Sequence, residues 1–183
     1  MGTTYCYDTE FLEDGRTIEL ISIGIVSDTG REYYAVNADM PIKRIRKHRW
    51  LMDNVVPSLP KPAGDWNNHM PRHWLFDYYN PAVKKRDRIA TEVRDFLLAE
   101  DIPQLWADHG AYDHVVLAQL WGPMINLPEG IPMWTHDIQQ ELEPMPEGFE
   151  PPVQSLGLHH ALWDARHDLT VLRALRDHQA ATA

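Results

Sequence analysis

Cysteine is almost missing from this chain: Cys6 is the only one in 183 residues. One thiol cannot form an intrachain disulfide, so the chain is not a stapled secreted scaffold and a reducing compartment is expected. Cys6 stands between Tyr5 and Tyr7 in an apolar run, the setting of an inert buried thiol, and no His and Asn arrangement near it supports a cysteine hydrolase. Long hydrophobic runs are missing too. No window approaches the roughly 18 apolar residues of a membrane span, and no basic-then-apolar leader opens the chain. The expectation is a cytoplasmic protein without membrane association. Positive charge is also scarce, with 17 Lys and Arg against 27 Asp and Glu and a formal charge of −10. That balance argues against a protein that coats nucleic acid, because such proteins draw affinity from phosphate neutralisation. It leaves open an enzyme that grips one chain end, since bound cations invert the local charge of a carboxylate-lined site.

What is present is the composition of a folded core: 44% of residues are hydrophobic, and the length fits one domain over residues 1–183. Seven Trp and seven Tyr supply rings that pack in a core or stack on bases. One basic segment, Lys43-Arg44-Ile45-Arg46-Lys47-His48-Arg49, runs against the overall sign and reads as a solvated helix face or a phosphate contact.

Residues 3–11 (TTYCYDTEF) read as a strand, Glu13-Asp14-Gly15-Arg16 as an Asp-Gly hairpin turn, and 17–26 as a second strand. After a turn at 27–30, residues 31–36 return as a third, completing an antiparallel meander. The stretch 37–81 is broken by Pro41, Pro57, Pro60, Pro62 and Pro71 around two short helices. Ile89, Val93, Phe96 and Leu97 recur at helical spacing and predict a helix over 82–99. A strand at about 104–107, a helix over 111–121, a strand at 132–135 and a short helix at 137–143 follow. After a loop at 144–152, a last helix over 161–178 presents Ala161, Leu162, Leu169, Leu172 and Leu175. Three antiparallel strands followed by alternating strands and helices imply an α/β fold with a mixed sheet.

Three clusters carry chemistry. Asp8 and Glu10 lie one residue apart in an otherwise apolar strand, so period-two geometry puts both on one face. Adjacent like charges repel, and a hard divalent cation with oxygen ligands would relieve them. Taken alone, the pair also fits a solvated edge strand. The second cluster, Ala107-Asp108-His109-Gly110-Ala111-Tyr112-Asp113, spans a strand–helix junction at the carboxyl edge of the sheet, where α/β proteins place their sites. Asp108 can cap the helix, while Asp113 in its first turn can project back to the sheet edge or simply favour the helix dipole. The third runs from His159 to Asp168. His159 and Asp164, five apart, lie about 140° round an ideal helix and converge only if His159 precedes the helix. His160 with Asp164, and Asp164 with Asp168, share faces, so spacing leaves the choice open.

Together these are the parts of two-metal phosphodiester hydrolysis. Two Mg²⁺ ions, with Mn²⁺ able to substitute, would sit roughly 3.5–4 Å apart and align attacking water with leaving oxygen. Carboxylates suit those ions, and a neutral His can take the proton of the water. With no Cys or multi-His set, zinc is disfavoured.

At these residues the chain resembles the DEDDh branch of the DEDD exonucleases, which have a ribonuclease H-like fold. The motifs are Tyr7-Asp8-Thr9-Glu10-Phe11, His109-Gly110-Ala111-Tyr112-Asp113 and His159-His160-Ala161-Leu162-Trp163-Asp164-Ala165. The branch pattern, a His five residues before the last Asp, selects His159 over His160 and Asp164 over Asp168. Gly110 stands where the second motif usually carries Asn. Within the branch, Thr17 to Gly24 and Trp106 to Pro123 look like the small actinobacterial ribonucleases of the RNase T type, the polyadenylate-specific 3′-exoribonucleases (RNase AS); residues 38–90 and 124–155 contribute nothing to the likeness. The resemblance implies Asp8, Glu10, Asp113 and Asp164 as metal ligands, His159 as general base, a homodimer, and removal of adenylates from RNA 3′ ends. Phe11 can wedge or stack on the terminal base and Tyr112 can line the same cleft, or both can serve the core. The alternatives are a general 3′→5′ exonuclease on short RNA or single-stranded DNA, and a non-catalytic nucleic-acid-binding relative.

Overall fold

The computed structural model describes residues 2–63, 74 and 76–182. Pro71, one of the sequence's breaks in the 37–81 stretch, lies outside the described residues. Strands β1 (Thr3–Glu13), β2 (Ile18–Ser27) and β3 (Glu32–Asn37) form the expected antiparallel meander. The first turn closes as its Asp-Gly signal requires: Asp14 Oδ1 accepts from Arg16 N at 3.0 Å and Thr17 N at 2.8 Å. Helices α1 (Ile42–Ile45) and α2 (Arg49–Asn54) follow, and then β4 (Val83–Lys84), α3 (Arg86–Leu97), β5 (Pro103–Ala107) and α4 (Ala111–Ala118). Strand β6 (His136–Asp137), α5 (Ile138–Leu142) and α6 (Ala161–Thr182) complete the order. The sheet runs β4-β3-β2-β1-β5-β6, with β1 antiparallel to β2 and parallel to β5. This is the mixed-sheet α/β architecture expected of a ribonuclease H-like fold.

Four boundaries differ from the sequence reading. The helix predicted over 82–99 begins at Arg86, because Ala82–Lys84 pair with β3: Val36 N donates to Ala82 O and Ala38 N to Lys84 O, both at 2.8 Å. The strand predicted at 132–135 lies at His136–Asp137, in parallel register with Trp106 and Ala107. The helix predicted over 111–121 stops at Ala118 and tightens into a 3₁₀ turn at Gln119–Trp121. The last helix continues to Thr182 rather than 178.

Alternation along β1 divides the molecule. Tyr5 and Tyr7 pack on one face of the sheet with Ile89, Val93 and Leu97 of α3 and Val116 and Leu117 of α4. Cys6, on the other face, packs with Ala165, Leu169, Leu172 and Leu175 of α6 and Ile138 of α5. Burying each of those α6 leucines contributes about 1.5–3 kcal/mol. Further along, Leu12 joins Ile21, Val36, Leu51 and Met52 beneath α1 and α2. The change comes at a bulge, where β1–β2 pairing shifts between Glu10 and Phe11. Much of the basic run is absorbed structurally: Arg44 pairs with Asp14 and Glu19, and Arg46 donates to Trp74 O at 2.9 Å.

Candidate active site

The alternation that puts Cys6 under α6 carries Asp8 and Glu10 to the same face, beside the first turn of α6 where Asp164 sits. Carboxylate oxygens of Asp8, Glu10 and Asp164 all lie within 4.8 Å of one another. Thr9, between the two β1 acids, faces the other way and holds Asp113: Asp113 Oδ1 accepts from Thr9 N at 2.8 Å and Thr9 Oγ1 at 2.6 Å. Both lone pairs of Oδ1 are thereby used, and Oδ2 is left for other work. The sheet edge thus gathers Asp8 and Glu10 from β1, Asp113 from α4, and Asp164 and Asp168 from α6, with Asp108 from the turn ahead of α4, in a single cavity of about 330 Å³.

His159 reaches the same cavity from the segment before α6, as its five-residue offset from Asp164 requires. Its backbone is left-handed, with φ of 60°, and its carbonyl accepts from Ser58 Oγ at 2.8 Å. That turn sends consecutive histidines apart. The His159 ring meets Trp50 edge-on at 4.9 Å, whereas His160 stacks on Tyr34 at 4.5 Å, outside the cavity. The choice between Asp164 and Asp168 is less exclusive, since both line the cavity. Asp164 Oδ1 accepts from Gln154 Nε2 at 2.6 Å, while the buried Asp168 accepts from Asp108 N at 3.2 Å. Asp108 does not cap α4, as the sequence allowed. Gly110 occupies the cap position, and the Asp108 carboxylate turns to Gln139 Nε2 at 2.8 Å.

Burial and mutual repulsion hold these acids far from their ordinary protonation range. Burial, then the charges of Asp113, Glu10, Asp164 and Asp168, push Asp8 well above the usual carboxylate pKa. Burial followed by Asp164 and Asp113 pushes Glu10 up to about 8. Asp113 rises to about 6 by burial, against the opposing pull of the Thr9 hydrogen bonds. Asp164 is also raised by burial, with Gln154 and His159 opposing. Among the described residues no Lys or Arg lines the cavity. Clustered carboxylate oxygens of this kind are compatible with a divalent cation, which prefers hard oxygen ligands. The donor set fits such a group.

Residues 3–176 match the family described as 3′-5′ exoribonuclease Rv2179c-like domain. The 3′-5′ exoribonuclease Rv2179c of Mycobacterium tuberculosis (strain ATCC 25618 / H37Rv) is 41% identical over 173 residues, covering 93% of this chain and 92% of the relative. The 3′-5′ exoribonuclease MT2234.1 of strain CDC 1551 / Oshkosh matches to the same extent. The chain belongs to the Rv2179c-like 3′-5′ exoribonuclease family. It is accordingly an enzyme acting on RNA, and none of its described helices is long and apolar enough to cross a membrane.

Aromatic rings frame the cavity of this exoribonuclease. Phe11 lines it, and Tyr112 stands behind Phe11 with the two rings stacked at 6.1 Å and 14°, without itself lining the cavity. No local pattern singles out Trp50, which is 49% exposed and lines the cavity from α2. Gln154, Leu158 and His167 were missed as well. His167 follows Asp164 by three positions, so helical spacing could have flagged it as it did Asp168. Gln154 lies in a segment without periodicity and gave no signal.

Proposed function

We propose that this exoribonuclease is a metal-dependent enzyme of the DEDDh, RNase T-like type that removes adenylates from RNA 3′ ends. In this reading Asp8, Glu10, Asp113 and Asp164 hold two Mg²⁺ ions, for which Mn²⁺ can substitute. The observation that carries it is the convergence of Asp8, Glu10 and Asp164 oxygens within 4.8 Å in a cavity that no described Lys or Arg lines. When bound, the cations supply positive charge that aligns the scissile phosphate and stabilises the charge developing on it.

The chain's own groups do the rest. An imidazole nitrogen of His159 takes the proton of the attacking water. The water oxygen bonds to phosphorus, the bond from phosphorus to the 3′-oxygen of the preceding nucleotide breaks, and that oxygen leaves with a proton from solvent. Asp164 lines the cavity beside His159. Phe11, backed by Tyr112, and Trp50 offer two apolar walls between which the terminal base stacks. We further propose that residues 1–183 form one exonuclease domain, that it works as a cytoplasmic homodimer, and that its physiological substrate is a polyadenylate tail.

The test is digestion of 5′-labelled poly(A), poly(U), poly(C) and DNA oligomers with Mg²⁺, Mn²⁺ or chelator. The reading requires ladders shortening from the 3′ end, fastest on poly(A), and none in chelator. Equal rates on all homopolymers defeat the adenylate preference and leave a general 3′→5′ exonuclease; activity in chelator defeats the metal assignment. Light scattering at assay concentration decides the dimer, and one cooperative unfolding transition is required of one domain.

A further inference from the structure

The turn between β5 and α4 is held in an unusual way. Its three successive amides, those of Asp108, His109 and Gly110, donate to carboxylates from elsewhere in the chain. Asp108 N donates to Asp168 Oδ2 at 3.2 Å, His109 N to Asp137 Oδ1 at 3.2 Å and Gly110 N to Asp137 Oδ2 at 3.0 Å. Consecutive amides in alternating hand, here with His109 at φ 52° and Gly110 at φ −63°, form a concave nest that attracts anions. A helix N-terminus adds to that attraction. Left open beside a phosphodiester site, the nest would compete for phosphate oxygens and let the turn move. Two carboxylates fill it instead, with the charge-assisted bonds that are the stronger class.

Both carboxylates are themselves fixed. Asp137 caps α5 by accepting from Gln139 N at 3.0 Å, so one side chain ties two helix starts together. Asp168 is buried on α6, one turn beyond Asp164. The backbone is also closely packed at Gly110, where a Cβ would stand 2.9 Å from Ala107 Cβ and 3.1 Å from Thr135 Cγ2. Asp113 sits in the first turn of α4, three residues past Gly110, and its other anchor is Thr9 on β1.

We infer that Asp137 and Asp168 are positioning residues for Asp113, holding the turn from which α4 starts so that its carboxylate stays in the cavity that the acids of β1 line. Asp168 thereby links the two helices that bring Asp113 and Asp164 to the site. The inference rests on the proposed role of Asp113 as a cation ligand. Residues behind a ligand are worth about 10–100-fold in metal affinity or activity.

The test uses the full chain with Asp137→Ala, Asp137→Asn, Asp168→Asn and, as reference, Asp113→Asn. Mn²⁺ binding without RNA is followed by calorimetry, amide hydrogen exchange is followed over 108–113, and kcat and KM are measured on oligoadenylate. Asp137→Ala is expected to weaken Mn²⁺ binding about 10–100-fold and speed exchange over 108–113, and Asp168→Asn, which keeps one acceptor oxygen for Asp108 N, to do both to a lesser degree. They should lower kcat at fixed Mn²⁺ with KM nearly unchanged, and excess Mn²⁺ should restore their turnover. Asp137→Asn, which keeps one acceptor oxygen, should fall between wild type and Asp137→Ala; if Asp137→Ala does not fold, this variant and Asp168→Asn carry the test. Folded variants with wild-type Mn²⁺ affinity and exchange overturn the inference while Asp113→Asn remains impaired. Wild-type behaviour of Asp113→Asn would instead overturn the proposed ligand set.

Discussion

Gly24 of β2 lies directly opposite Asp8 of β1, and the first turn of α6 rests on the sheet at that glycine. A Cβ there would stand 2.3 Å from Leu162 N and 2.4 Å from Ala161 O. No side chain fits between sheet and helix at this point, and the contact sets how closely Asp164 approaches Asp8. Gly24→Ala must lift or tilt the start of α6. Since a displacement of about 1 Å can cost about 100-fold in rate, kcat on poly(A) should fall by that order. Melting should record a further loss of about 1–3 kcal/mol from overpacking. Unchanged turnover would show that the helix start does not set the geometry.

Removing one acid should separate stability from activity. Asp8→Asn takes away a charge that Asp113, Glu10, Asp164 and Asp168 all oppose. Without metal the variant should melt at a higher temperature than wild type, while its exonuclease activity with Mg²⁺ is lost. A lower melting temperature in chelator would mean that Asp8 contributes packing or hydrogen bonding beyond its charge.

The raised pKa values fix the sign of the pH dependence. Glu10 at about 8 and Asp113 at about 6 bind protons more tightly folded than unfolded, and Asp8 and Asp164 shift the same way. Between the ordinary carboxylate range and those values the folded state carries more protons, so stability falls as pH rises. In chelator, the melting temperature should therefore drop from pH 5 to pH 8. Saturating Mg²⁺ should reverse the slope, because the cation binds the ionised acids. Thermal scans across that window, with and without metal, check both halves.

His159→Ala should lower kcat by about 100- to 10,000-fold, the usual worth of a general base, and leave Mn²⁺ binding close to wild type. His160→Ala should do the opposite, loosening the stack on Tyr34 and lowering the melting temperature with little change in kcat. Comparable kcat losses in both variants would contradict the division of labour between the neighbours.

Much of this site can be read from residue order because it depends on period. Asp8 and Glu10 share a face by strand alternation, and the apolar spacing of α3 and α6 survives in their buried stripes. The two-residue strands β4 and β6 are too short to show a period, and they exist only through pairing with β3 and β5. Asp137 was invisible for a related reason: its work is to accept the amides of His109 and Gly110, which no local pattern reveals. Gly24 likewise looks like any glycine in a strand until α6 is laid on it. His159 and Asp164 needed the family pattern because spacing allowed His160 and Asp168 equally, and the cavity in fact holds Asp168 too.

The bulge between Glu10 and Phe11 closes a run of pairing in which Asp8 meets Gly24 and Glu10 meets Ser22. A slip of one residue there would send Thr9 to α6 and both acids to α4, inverting every functional contact at once. On the roles proposed for these acids, a slipped register should not cut RNA at all. Heat should extinguish cleavage together with the whole sheet rather than ahead of it, so that residual activity serves as a direct gauge of the folded fraction.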